Sequence, residues 1–78
     1  MIWYSFKQFA GKDLYVLWSY HANTKQLWSK IKLRKSKKCV VTGEMIEKGS
    51  MAFRPITNAI NRMDRISEKG MEKMHENF

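Results

Sequence analysis

The chain has 78 residues, with 15 lysines and arginines against 7 aspartates and glutamates, and a net charge of +8. This length predicts one small domain with a thin core, and the single cysteine, Cys39, excludes an intrachain disulfide. No apolar stretch approaches the roughly 20 residues that cross a bilayer, and the N-terminal residues do not resemble a signal peptide. We therefore expect a soluble protein of the reducing cytoplasm that binds an anionic partner.

Five β-strands are predicted in the first two thirds of the chain, because aromatic and β-branched residues alternate there with short turn signals. The predicted strands are residues 2–9, 14–21, 26–34, 38–41 and 50–54. Gly43 and Gly49 should turn the chain between the last two strands, and Pro55 should end the fifth. The pattern predicts a mainly β, single domain over residues 1–78, built as a small antiparallel sheet or a partly open barrel.

The residues after Pro55 follow a different pattern. Residues 56–65 are compatible with a loop that contains a helical turn or with a short extra strand. A short C-terminal helix should follow, because Ser67 is a suitable N-cap and Glu68 places a negative charge in the first turn. The apolar stripe of this helix consists of Met71, Met74 and Phe78.

Side-chain alternation within the strands predicts that one face of the sheet combines aromatic and basic residues. This aromatic and basic face consists of Trp3, Lys7, Tyr15, His21, Trp28, Lys30, Lys32 and Arg34. The loop that follows adds Lys35, Lys37 and Lys38, and a second basic cluster consists of Arg54, Arg62 and Arg65. The opposite face should be apolar and form the core, and it consists of Ile2, Tyr4, Phe6, Leu14, Val16, Trp18, Tyr20, Leu27, Ile31 and Leu33.

Exposed rings stack on bases and cations bind phosphates, so the aromatic and basic face is typical of proteins that bind single-stranded nucleic acid. We expect RNA, single-stranded DNA or a nucleoprotein as the partner. A protein-binding hot spot has the same composition, so direct contact with a host nucleic-acid-processing protein is the alternative. Burial of Trp3, Tyr15 and Trp28 in an ordinary core is the structural alternative.

Catalysis is the least expected function. His21, Glu44, Arg54 and Arg62 are the residue types that a small ribonuclease uses as a base and as phosphate-binding groups. Their spacing carries no specific signal, so we expect no catalytic residues and no enzymatic activity.

The segment KKCVVTGEMIEKGSMAFRP, residues 37–55, resembles the zinc-knuckle hairpin of treble-clef and PARP-type fingers. In that hairpin, Cys-x-x-Cys precedes an Ile-x-Lys-Gly turn and a strand that ends in Arg. Here Thr42 occupies the position of the second cysteine, whereas structural zinc requires four Cys or His ligands. Only Cys39, His21 and His75 have such side chains. We therefore expect a hairpin that keeps its shape without metal, and no cofactor.

The run GEMIEKGSMAFRPITNAINRMDRIS, residues 43–67, is similar to short uncharacterised proteins of bacteriophages and mobile elements. This resemblance implies a host-takeover or counter-defence accessory protein that acts on a nucleic-acid enzyme. It assigns no role to any individual residue.

Overall fold

A computed structural model describes residues 3–76 of the chain. The elements, in order, are β1 (Tyr4–Gly11), β2 (Leu14–Ser19), β3 (Thr24–Lys32), β4 (Lys37–Lys38), β5 (Met45–Ile46), β6 (Met51–Pro55), β7 (Ile66–Ser67) and α1 (Glu68–Glu76). The larger sheet has the strand order β1-β2-β3-β6-β7, and β4 pairs with β5 in a second sheet. Neighbouring strands pair antiparallel in both sheets, and the larger one curls into a half-barrel. The predicted mainly β fold with a C-terminal helix is confirmed.

The first three strands form a meander whose turns contain residues that tolerate the left-handed conformation. Asp13, between β1 and β2, has a φ of 57°, and Asn23, between β2 and β3, has a φ of 55°. Aspartate and asparagine adopt this conformation more readily than most residues, because their short side chains bond to nearby backbone. Ser19 closes the second turn by accepting a hydrogen bond from the Ala22 amide at 3.0 Å. Strand β2 therefore ends at Ser19 and does not continue to His21 as predicted.

A β-bulge in β1 changes which side chains share a face. The register between β1 and β2 shifts between Phe6 and Gln8, so Lys7 is the extra residue of the bulge. Because of this extra residue, Phe6 and Phe9 lie on the same side, with ring centroids 5.1 Å apart. Both rings also contact His75 of α1. Lys7 remains exposed, but it is separated from the aromatic residues with which it was grouped.

The core includes residues of β2 and β3 that the sequence placed on the binding face, so that prediction is wrong for Trp28 and Tyr15, whereas Tyr4 and Phe6 of the predicted apolar face are buried as expected. Cross-strand pairing places Tyr15 beside Trp28, and Trp28 is completely buried. Its indole meets the Tyr4 ring edge-on at 5.0 Å, while the half-buried Tyr15 packs edge-on against Phe53 at 4.9 Å. The buried Trp28 ring is therefore not available for stacking on a base.

Coverage by the C-terminal third of the chain explains why this face is buried. The loop 56–65 crosses it, with Asn61 bonded to the buried Gln26 side chain of β3. Helix α1 packs against β1, β6 and β7 and contributes the buried Met71. The predicted core residues Val16, Trp18 and Leu27 lie on the uncovered outer face and are half-exposed.

Several strand boundaries differ from the prediction, and the differences occur where the chain turns. The predicted strand 38–41 is reduced to β4, because the chain reverses after Cys39 and the Gly43 amide donates to the Cys39 carbonyl at 2.9 Å. Gly43 has a φ of +78°, which glycine adopts without strain. Pro55 is the last residue of β6 and not the first residue after it. Residues 56–64 lie in turns, bends and irregular chain, Arg65 forms a single β-bridge, and a short extra strand, β7, begins only at Ile66.

The C-terminal helix begins as predicted. The Ser67 hydroxyl accepts a hydrogen bond from the Gly70 amide at 2.9 Å, which is the N-cap interaction. Met71 is buried and Met74 is half-buried, while Phe78 of the predicted stripe and Ile2 of the first predicted strand lie outside the described residues. None of the described helices has the length and apolar character needed to span a membrane.

Gly70→Ala should destabilise the protein, although alanine is favoured over glycine in a helix by about 1 kcal/mol. A Cβ at this position would lie 3.0 Å from the Cys39 sulfur and 3.2 Å from both Ile66 Cγ2 and the Ser67 hydroxyl oxygen. Such overpacking costs about 1–3 kcal/mol, which exceeds the gain in helix propensity. Urea denaturation should show a net loss of up to about 2 kcal/mol, whereas Lys69→Ala on the same helix should change stability by less than about 0.5 kcal/mol. An increase in stability for Gly70→Ala would contradict this packing.

Candidate functional site

An open cleft of about 400 Å³ lies where the chain leaves β3, passes through β4 and approaches Arg65. Its floor is aliphatic, from Ile31 and Leu33, and its walls are basic. The basic lining residues are Lys32, Arg34, Lys35, Lys37 and Arg65. Among the described residues, no carboxylate lines this basic cleft.

The bend between β3 and β4 is held by backbone hydrogen bonds on both sides of Leu33. Its amide donates to the Ser50 carbonyl, and its carbonyl accepts from the Gly49 amide, each at 2.9 Å. The side chain of Leu33 is buried, while Arg34 and Lys35 are exposed. The buried Leu33 therefore anchors the bend to the core, while the charged side chains of Arg34 and Lys35 lie at the surface.

Within residues 3–76, no cation of the basic cleft forms an ion pair. Among residues 3–76, the only cation in an ion pair is Lys30, which does not line the cleft. The Arg65 guanidinium donates to the backbone carbonyls of Arg62 and Asp64, at 3.2 and 2.8 Å. Burial and, to a smaller extent, the nearby charge of Arg54 lower the pKa of Arg65, while the charge of Asp64 acts to raise it. Arginine nevertheless stays protonated in proteins.

Lys30 was predicted to belong to the binding face, and the structure places it elsewhere. Its ammonium lies 3.3 Å from the Asp13 carboxylate and 3.0 Å from the Glu68 carboxylate. It also lies 5.7 Å from the centroid of the Phe53 ring. The hydrogen bond to Glu68 is the main cause of the raised pKa of Lys30. Lys30 therefore connects β3 to the start of α1 and is not available to a partner.

A second cleft, of about 390 Å³, lies near the start of β1 and the chain reversal that follows β4. Trp3 and His21 stand on one side, with ring centroids 5.4 Å apart and planes inclined by 36°. Lys38 and Asp64 also line it. We call it the aromatic cleft, since it contains the two predicted site aromatics that remain exposed.

The remaining basic residues are distributed around these two clefts. Arg65 of the second basic cluster joins the basic cleft. Arg54 lies opposite Ser29 in β6, and Arg62 is exposed in the loop 56–65. Neither Arg54 nor Arg62 lines either cleft.

A buried polar network behind the aromatic cleft was not predicted. The Tyr4 hydroxyl donates to the Asp64 carboxylate at 2.6 Å and accepts from the Asn61 amide at 2.8 Å. Asn61 and Gln26 exchange two side-chain hydrogen bonds, at 2.9 and 2.8 Å. Burial and the bond to Asp64 raise the pKa of Tyr4. The phenol therefore remains protonated and holds the Asp64 carboxylate in place.

Cys39, the remaining ligand type of the zinc-knuckle resemblance, is buried and surrounded by donors. Its sulfur accepts hydrogen bonds from the Thr42 amide at 3.4 Å, the Ser67 amide at 3.3 Å and the Ser67 hydroxyl at 3.4 Å. Burial acts to raise the pKa of the thiol, but these hydrogen bonds outweigh it and the pKa lies below its usual range. Residues 3–76 contain no group of three or more His, Cys, Asp or Glu side chains placed to hold a metal ion.

The two clefts lie on either side of β4, because its consecutive residues Lys37 and Lys38 line one cleft each and successive strand residues face opposite ways. The basic cleft is suited to anions, and the aromatic cleft offers rings, one cation and one carboxylate. Comparison with protein-family models, with curated proteins and with solved structures finds no match.

Proposed function

We propose that the protein is a non-enzymatic nucleic-acid-binding protein that engages the phosphates of a single strand through the basic cleft. The observation that carries this proposal is that, in the part of the chain that the structure describes, five cations and no carboxylate line one cleft of about 400 Å³. Lysine binds a phosphate as a point charge, and arginine binds it through two parallel N–H donors. Both release condensed counterions from the nucleic acid. The lone cysteine fits action in the cytoplasm.

The shape of the site favours a flexible strand over a duplex. The cations line a concave cleft, and two of the exposed ones, Arg34 and Lys35, lie in a bend between strands. Recognition of B-DNA commonly places a helix or a two-stranded ribbon in the major groove. The one described helix, α1, lies on the core with Met71 buried against the sheet. A basic groove that follows the backbone is the common feature of single-strand binders.

The salt dependence of oligonucleotide binding tests the proposal. For a single strand, the logarithm of the binding constant should fall with the logarithm of salt concentration by about 0.7 per neutralised phosphate. Replacing Lys32, Arg34 and Lys35 together by alanine should reduce this slope by about 2, or three contacts. Fluorescence anisotropy with a labelled ten-nucleotide strand, across a salt series, measures both slopes.

A matched triple variant separates the cleft from the overall charge. Lys12, Lys69 and Lys73 are exposed and line neither cleft, so their replacement by alanine removes the same net charge elsewhere. The slope of this control should stay close to that of the unmodified protein. Equal slopes for the two triple variants would show that the cleft is not the phosphate-binding site.

Direct binding to a host protein is the second candidate function, in line with the resemblance to phage and mobile-element accessory proteins. The observation that favours it is the exposure of apolar side chains in the loop 56–65, where Ile60 is 69% and Met63 is 58% exposed. Exposed apolar groups beside an arginine are typical of protein interfaces. Affinity purification with and without nuclease distinguishes the candidates, since a protein partner would remain bound after nuclease treatment.

A further inference from the structure

The aromatic cleft differs from the basic cleft in its charge pattern, and this difference indicates a different ligand group. Its lining contains Lys38 and the carboxylate of Asp64, together with the rings of Trp3 and His21. A carboxylate repels phosphate, whereas an ionised carboxylate accepts hydrogen bonds from N–H groups. The aromatic cleft is therefore suited to the edge and face of a nucleic-acid base and not to the phosphates of the nucleic acid.

Trp3 supplies a stacking surface. Its side chain is 42% exposed, and the inclined His21 ring stands beside it at 5.4 Å. Unpaired bases stack on exposed aromatic rings in proteins that bind single strands. Trp3 and Trp28 were both predicted to belong to the binding face, and of these two tryptophans only Trp3 keeps an exposed ring.

Asp64 supplies a positioned acceptor. Tyr4 donates to one carboxylate oxygen at 2.6 Å, and an ionised carboxylate has about four acceptor sites. Arg65 donates to the backbone carbonyl of Asp64, at 2.8 Å. The carboxylate therefore keeps acceptor capacity for a ligand, while the buried pair of Asn61 and Gln26 fixes the tyrosine that orients it.

We propose that the aromatic cleft binds one unpaired guanine of a single strand, stacked on Trp3 and bonded through its Watson–Crick edge to Asp64. The inference rests on the proposed function, since the phosphates of the same strand occupy the basic cleft. Guanine presents two adjacent donors, N1–H and the 2-amino group, which match the two oxygens of a carboxylate. Thymine and uracil present one N–H between two carbonyl oxygens, which the carboxylate repels. Lys38, next to Lys37 in β4, is placed to bind the phosphate of the same nucleotide.

The test compares labelled decamers of thymidine that carry one central guanine, adenine or cytosine with the decamer of thymidine alone. At one salt concentration, the guanine decamer should bind about 5- to 150-fold more tightly than the thymidine decamer, as for a good bidentate contact. Asp64→Asn should remove most of this preference, because an amide presents a donor where the carboxylate accepts. The asparagine oxygen still accepts from Tyr4, so the fold is retained, and the melting temperature checks this.

Two further variants complete the design. Glu47→Gln makes the same charge change at an exposed residue outside both clefts, and it should keep the guanine preference. Trp3→Ala does not touch the polar network and should weaken binding of the guanine decamer by about 5- to 150-fold.

The outcomes separate this inference from the proposed function. Salt-dependent binding without a guanine preference, or a preference that survives Asp64→Asn, overturns the guanine site and leaves the phosphate site standing. Absence of binding to every decamer, even at low salt, overturns both.

Discussion

Trp28→Ala should lower the free energy of unfolding by about 3–5 kcal/mol, the usual cost of removing a large aromatic side chain from a core. Trp28 is completely buried in the central strand β3, between Tyr15 of β2 and Pro55 of β6. A core in a chain of this size rarely supplies more than about 3–5 kcal/mol in total. The variant should therefore be largely unfolded at 25 °C, as measured by circular dichroism and urea denaturation.

Two variants control for size and position. Trp28→Phe should cost less than the alanine change, because it keeps an aromatic ring and removes an indole N–H that has no hydrogen-bond partner within residues 3–76. Trp18→Ala, on the half-exposed outer face, should also cost less than Trp28→Ala. If the Trp28→Ala protein stayed folded and bound oligonucleotides more weakly, Trp28 would lie at the surface, as side-chain alternation alone had predicted, and not in the core.

The fold was largely predictable because its signals are local. Alternating aromatic and β-branched residues mark β1 to β3, and the turn residues Asp13 and Asn23 adopt the left-handed conformation that their side chains permit. Ser67 caps the helix as its position before Glu68 indicated. Each of these features depends on a few neighbouring residues.

The identity of the buried face was not predictable in the same way. Alternation separates two faces but does not say which one the rest of the chain covers. That choice depends on the loop 56–65 and α1, which reach across the sheet to Gln26 and Phe6. The bulge at Lys7 further shifts the alternation within β1, and Lys30 finds its counter-charges in distant Asp13 and Glu68. A basic residue on a strand was therefore a poor indicator of exposure.

The candidate site was predicted only in part, because some of its residues meet only in the folded chain. The basic residues from Lys32 to Lys37 are close together in the sequence, so the sequence identified four of the five cations of the basic cleft. Arg65 joins them only through the fold, by the isolated parallel β-bridge between Arg65 and Cys39. Asp64 could not be placed at a cleft from the sequence, since the tyrosine that orients it is 60 residues away.

Asn61→Leu and Gln26→Met should each lower the free energy of unfolding by about 1–3 kcal/mol, the cost of a buried polar group left without its partner. Both side chains are buried and exchange two hydrogen bonds, and the leucine and methionine replacements are close in size to the originals. The double variant should cost less than the sum of the two, because neither amide remains to be left unpaired and Tyr4 keeps its bond to Asp64. Urea denaturation of the four proteins measures this coupling, expected to be about 1–3 kcal/mol.

The matched cycle uses Gln8→Met and Asn58→Leu, which change the same residue types at exposed positions. These two changes should add to within about 0.5 kcal/mol, as distant surface substitutions do. Additive losses in the Asn61 and Gln26 cycle would mean that the two amides are solvated independently. The loop 56–65 would then be held over the sheet by its apolar contacts alone, and the orientation of Asp64 in the aromatic cleft would lose its structural support.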